Sequence, residues 1–263
     1  MALTATRYVT PLREGGSMPA LVEADDCGLY VVKLRGAGQG PPVLVAEHLC
    51  AGLARAAGLR VPEVAPIELA AALGRNEPDA EIRAQLMASV GTNLAMDFLP
   101  GALTYDPAAD PAPSAALASK IVLFDAFVTN PDRTARNPNL LTWHRELWLI
   151  DHGAALYYHF GWSQDAPLAG ARGAFSRVKD HVLLRWATAL PEVVTELAAA
   201  WTPAVIERLC ASIPESWLAG AHNPLPTREQ YAAWLVERTG ALEHLAEGAR
   251  AIREEAHGRA RLV

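Results

Sequence analysis

The hydrophobic period of this chain changes across one short stretch, YDPAADPAP at residues 105–113, and that change decides what it can fold into. Upstream the apolar residues come in short β-prone runs. Downstream they recur at helical spacing. That leaves an α+β chain, rich in strands before the stretch and mostly helical after it.

The runs at 7–12, 20–24 and 29–34 are expected strands. Glu14-Gly15-Gly16-Ser17 and Asp25-Asp26-Cys27-Gly28 form the turns between them. A helix is expected over 43–57, with Val43, Leu44, Cys50, Leu53, Ala54 and Ala57 at helical spacing and Gly58 as its stop. Residues 61–69 contain Pro62 and Pro66, which predicts an edge strand or an extended segment. A short helix over 81–90 and a strand over 93–99 follow, ended by Pro100-Gly101. Beyond the 105–113 linker, Leu117, Ile121, Phe124 and Val128 mark a helix over 114–128. Two short strands, 139–142 and 146–150, precede helices expected at 182–190, 192–201, 204–212, 227–238 and 242–253. The expected fold is a β-rich amino-terminal lobe over 1–104 and a mainly helical carboxy-terminal lobe over 105–263, with a ligand cleft between them.

Charge and cysteine usage narrow the function classes. Lys and Arg number 23 against 29 Asp and Glu, a net charge of −6, which disfavours nucleic acid as a partner. Cys27, Cys50 and Cys210 form no CxxC pair, so reduced thiols are expected rather than disulfides or structural zinc. The start shows no basic-then-apolar leader and no apolar run reaches 18 residues, so the expectation is a cytoplasmic protein with no membrane partner.

The densest polar cluster is Asn130-Pro131-Asp132-Arg133-Thr134-Ala135-Arg136-Asn137, followed after a hairpin by Asp151-His152-Gly153. A loop carboxylate, an amide five residues on and a carboxylate at a strand end can converge. Oxygen donors of that kind suit Mg²⁺, with one carboxylate left to orient a hydroxyl. Each motif alone also reads as an ordinary turn. Lys33 interrupts the apolar strand Tyr30-Val31-Val32-Lys33-Leu34, and Glu47 lies fourteen residues on in the next helix. A lysine so placed fits a solvent-facing strand position, or, held by the glutamate, a phosphate-binding cation. Gly15-Gly16-Ser17 could cover phosphates with backbone N–H groups.

Together these features resemble the HipA-like kinase family, a bacterial branch of the protein-kinase-like fold. The resemblance runs over about residues 15–160 and includes Met96-Asp97-Phe98-Leu99-Pro100-Gly101. It implies ATP and Mg²⁺ as cofactors and a two-lobed kinase fold. Asp132 would be the catalytic carboxylate, with Asn137 and Asp151 as the metal ligands. Lys33 would be the ATP-phosphate lysine, Glu47 its partner, and Asp97 to Leu99 the hinge against adenine. The implied activity is phosphorylation of a protein Ser/Thr hydroxyl. The alternatives are a small-molecule hydroxyl kinase and an inactive nucleotide-binding adaptor. Two departures stand out: Thr134 occupies a position that is His in many members, and the chain starts almost directly at the nucleotide-binding lobe.

Other readings carry less. Gly36-Ala37-Gly38-Gln39-Gly40 lacks the third glycine of a dinucleotide loop and runs into Pro41-Pro42. His48, His144 and His152 show no metal-ligand spacing. Tyr157, Tyr158 and Phe160 are expected to pack the second lobe or line the cleft, and Trp186, Trp201, Trp217 and Trp234 to fill the core. Arg133 or Arg136 could add charge near the transferred group, and a solvated loop role is the alternative for either.

Overall fold

The computed structural model describes residues 3–12, 19–75, 77–219 and 225–260. Five strands form its first half: β1 (Leu3–Pro11), β2 (Ala20–Ala24), β3 (Leu29–Lys33), β4 (Val64–Leu69) and β5 (Gly91–Asp97). Burial alternates along β2, with Ala20, Val22 and Ala24 inside, as a strand with one core face requires. The strands close into a barrel in the order β1-β2-β3-β5-β4. Closure is a short parallel contact, Leu3 with Ile67 and Thr4 with Glu68. The edge position expected for 61–69 is therefore corrected: β4 pairs with β5 on one side and β1 on the other. Both prolines are accommodated, since Pro62 precedes the strand and β1 reaches β4 only from Ile67 onward.

Helix α1 (Pro41–Ala56) begins on its two prolines, which need no N–H partner at a helix start. Its buried residues Leu44, Val45, Leu49 and Leu53 belong to the larger core, shared with the later helices, rather than to the barrel interior. A Cβ at Gly52 would lie 2.5 Å from Leu209 Cδ2, and Trp201 Nε1 donates to the Leu53 carbonyl at 2.9 Å. Helix α2 (Ala80–Ala88) is capped by Asp79, which accepts from the Glu81 and Ile82 amides.

After the barrel, β6 (Leu103–Thr104), β7 (Leu140–Trp143) and β8 (Glu146–Leu149) form a small antiparallel sheet in that order. Two-residue β6 is too short to leave a sequence pattern. Tyr105 is buried and its amide donates to the Leu140 carbonyl at 2.9 Å, so the 105–113 stretch is anchored where it starts. Helix α3 (Ala115–Phe127), capped by Ser114, is buried from Ala118 onward except at Lys120. Helices α4 (Leu190–Ala200) and α8 (Leu242–Ala260) pack on α3, while α5 (Pro203–Ala211) and α6 (Glu215–Leu218) pack on α1 and α7 (Arg228–Thr239) packs on α5. Trp201, Trp217 and Trp234 fill the core between them.

Two expectations fail here. Residues 182–190 form no α-helix; a single 3₁₀ turn, Leu184–Trp186, stands in its place. The Val182 amide donates to the Arg133 carbonyl at 3.1 Å and the Ala189 amide to Ser119 Oγ at 2.9 Å, so tertiary bonds take the backbone groups a helix would need. Of the three aromatics after Gly153, only Tyr158 packs inward, stacked on Trp234 at 3.8 Å. Tyr157 and Phe160 are exposed and do not line the cleft. Among the described residues no helix is long and apolar enough to cross a membrane.

Candidate active site

Lys33 ends β3 with its side chain buried, which overturns the solvent-facing reading. Its Nζ lies 2.7 Å from Asp151 Oδ1 and 3.1 Å from Glu47 Oε1. Glu47, fully buried on α1, is locked from the other side by the His152 amide, which donates to Oε2 at 2.9 Å. The chain reaches this geometry through two backbone features. Asp151 takes a left-handed conformation (φ 54°) just past β8, turning its carboxylate back toward Lys33. At Gly153 a Cβ would stand 2.6 Å from Val43 Cγ1, so a side chain there would have to push Val43 of α1 aside.

Burial pulls the Lys33 ammonium down, but Glu47 and Asp151 outweigh it and hold its pKa above the usual lysine value. Burial pushes Glu47 up, while Lys33 and the His152 N–H hold it below the usual carboxylate range. Burial also raises Asp151; Lys33 pulls it back, Glu47 pushes it up again, and the net direction is up. One cation is thus shared by two carboxylates. With 41% of its side chain exposed, Asp151 is where the excess negative charge meets the cleft.

The loop after α3 carries Asp132. Its backbone N–H donates to Asn130 Oδ1 at 3.1 Å, and Asn130 Nδ2 donates to Asp125 Oδ1 at 2.9 Å. The Asp132 carboxylate accepts on Oδ2 from Asn137 Nδ2 at 2.9 Å and from Asn139 Nδ2 at 3.2 Å. Thr134 closes the loop: its amide donates to the Asn137 carbonyl at 3.0 Å, and its Oγ1 accepts from the Asn137 amide at 3.3 Å.

Arg133 is corrected from a candidate for charge at the transferred group. It is fully buried, its Nε donates to Asp125 Oδ2 at 2.6 Å, and its Nη1 donates to the Asn139 carbonyl. Arg136 is exposed. His181 completes the buried cluster. Its Nδ1 accepts from the Leu183 amide, so Nε2 carries the hydrogen toward Asp125 Oδ2 at 2.9 Å. Burial lowers the His181 pKa despite that carboxylate, so the ring is neutral. Asp125 is raised by burial but held below the usual range by Arg133 and His181.

Sequence reasoning missed Asp125, Asn139 and His181. Asp125 left a readable signal, since a carboxylate amid Ile121, Val122, Leu123, Phe124, Ala126 and Phe127 must have buried partners. Asn139 and His181 left none.

Barrel and helices enclose a cleft of about 890 Å³. Lys33, Asn137, Asn139 and Asp151 line it together with Val31, Met96 and Leu140, and so do Asp97, Phe98 and Leu99. Asp132, half-buried, is not among the lining residues, but two of them, Asn137 and Asn139, donate to its Oδ2. The Phe98 amide donates to the Leu29 carbonyl at 3.0 Å, tying the passage out of β5 to the start of β3. Gly15, Gly16 and Ser17 lie outside the described residues.

A family model described as HipA-like kinase matches residues 6–238. The chain belongs to the HipA-like kinase family. Membership supports a kinase function, and the matched span contains every residue of the cleft just described. Among solved structures, this HipA-like kinase is similar to the Helicobacter pylori proinflammatory kinase CtkA, at 12% identity over 97% of this chain and 99% of that one, with a TM-score of 0.57. It is also similar to a Golgi casein kinase solved with Mn/ADP bound, at 12% identity over 94% of this chain and 72% of that one, with a TM-score of 0.50. At that identity these likenesses show the fold. No curated protein matches the chain.

Proposed function

We propose that this HipA-like kinase is an ATP- and magnesium-dependent phosphotransferase acting on a Ser/Thr hydroxyl of a protein. Residues 1–104 would serve as its nucleotide lobe and 105–263 as its catalytic lobe. The observation that carries the reading is Lys33 held between Glu47 and Asp151 in the wall of the cleft that Asn137 also lines.

Among the described residues no three His, Cys, Asp or Glu side chains cluster as a metal site. The donor set nevertheless fits magnesium, which takes few protein ligands and completes its shell with phosphate and water oxygens. Asn137 commits its amide nitrogen to Asp132, so its amide oxygen is the atom left for a cation, and Asp151 offers a carboxylate open to the cleft. When bound there, the ion neutralises phosphate charge. Lys33, kept in place by Glu47, supplies positive charge for the α- and β-phosphates. Asp132, fixed by two amides, orients the acceptor hydroxyl and takes its proton as the oxygen attacks the γ-phosphorus and the bond to ADP breaks. Asp97 to Leu99 flank the adenine.

Incubation with γ-labelled ATP, with and without cell lysate, tests this. Metal-dependent label in protein Ser/Thr, lost in Asp132→Ala and Asp151→Ala, is expected. Label in a small-molecule fraction would replace the acceptor assignment. Turnover and metal-dependent nucleotide binding untouched by both substitutions would remove the site itself.

A further inference from the structure

We infer that Asn139, a residue outside the recognised motifs, is a positioning residue that sets Asp132 against Asp151. Asn139 is 7% exposed and sits at the entry to β7 in a left-handed conformation (φ 49°). Its Nδ2 lies 3.2 Å from Asp132 Oδ2, 3.4 Å from the Asp132 carbonyl and 3.5 Å from the Asp151 carbonyl. Its own carbonyl accepts from Arg133 Nη1 and from the Ile150 amide at 3.0 Å. One residue therefore touches the catalytic loop through its amide and the strand end that precedes Asp151 through its backbone.

Two consequences follow from the chemistry. Asn137 and Asn139 both place an N–H on the same carboxylate oxygen, so the Asp132 carboxylate is held by two donors and cannot rotate without losing both. Asn137 is also the proposed metal ligand, so a cation drawing on its amide oxygen would pull at that hold. Asn139 is the donor that stays committed to Asp132. A left-handed φ explains why an asparagine is tolerated at this backbone position, but Gly and Asp tolerate it as well. The amide N–H is what distinguishes Asn here.

The inference rests on the phosphotransfer reading, and the test separates the two. Steady-state phosphotransfer and metal-dependent ATP binding are measured on the full chain for wild type, Asp132→Ala, Asn139→Gly and Asn139→Asp, with thermal melts as a folding control. Asn139→Gly keeps the backbone conformation and removes the donor. It is expected to lower kcat about tenfold to a hundredfold, with the KM for ATP and nucleotide binding unchanged. Asn139→Asp keeps the side-chain shape but sets a carboxylate against Asp132, and is expected to lower kcat further. Wild-type kcat in either Asn139 variant, or a loss appearing only in KM, overturns the inference while leaving the phosphotransfer reading intact. Turnover that survives Asp132→Ala overturns the reading itself.

Discussion

Lys33 and Arg133 are both buried cations held by carboxylates, yet their surroundings differ in what remains unbalanced. Arg133 faces one carboxylate, Asp125, through Nε and Nη2; Asn130 and His181 also bond its oxygens, and Arg133 Nη1 reaches backbone carbonyls. Lys33 faces two carboxylates, one of them open to the cleft. The first cluster is closed and balanced, and its work is to hold the Asp132 loop against β7 and β8. The second carries an excess negative charge on an accessible oxygen, where a cation can be taken up. A buried ion pair is therefore a weak sign of function in itself; an imbalance at a cleft wall is the stronger sign.

The closed cluster should break hardest. Asp125→Ala leaves Arg133 buried without its counter-ion and is expected to cost about 3–5 kcal/mol of unfolding free energy by urea denaturation. Because Asp125 is depressed when folded, its contribution is complete above about pH 4 and drains away as pH falls below that, so the wild-type advantage over Asp125→Ala should shrink in acid. A constant difference down to pH 2 would contradict the cluster's charge assignment.

In the open cluster, Lys33→Met strands Glu47 and is expected to cost about 1.5–3 kcal/mol along with phosphotransfer. Adding Glu47→Leu should return most of that stability without returning activity. Recovery of activity in the double variant would show that Lys33 serves stability alone.

The smallest effect should have the opposite sign. Asp151 is raised when folded, so its ionisation costs stability above about pH 4, and the cost is relieved as pH falls through the raised value. Asp151→Asn is expected to raise the Tm at pH 7 while abolishing metal-dependent nucleotide binding. A lower Tm would mean that the Lys33 contact outweighs the repulsion from Glu47.

Much of this was legible before any coordinates. The apolar run over 114–128, a lysine inside an apolar strand, and carboxylates and an amide spaced around a hairpin are local signals; the run forms α3, and Lys33, Asn137 and Asp151 share the cleft. The misses share a cause. The 182–190 segment has helical periodicity, but its backbone is claimed by Arg133 and Ser119, and propensity yields to such tertiary bonds. Arg133 stands beside Asp132 in sequence, yet its buried partner Asp125 lies eight residues back on α3, which turns a supposed active-site charge into an internal brace.

By itself the sequence determined a strand-rich first part, a helix-rich second part and the kinase-like spacing of Asp132, Asn137 and Asp151, and it left Lys33 either solvent-facing or held by a carboxylate. Those are properties of neighbours along the chain, set by periodicity and by the cost of burying charge. Only the tertiary structure decided that β4 closes a barrel, that Gly153 lies close against Val43, that Asn139 bridges Asp132 to the Asp151 turn, and that one cation is shared by two carboxylates while another is fully balanced. Each of these depends on atoms from distant parts of the chain meeting within a few ångströms, and no local pattern encodes which distant atoms will meet.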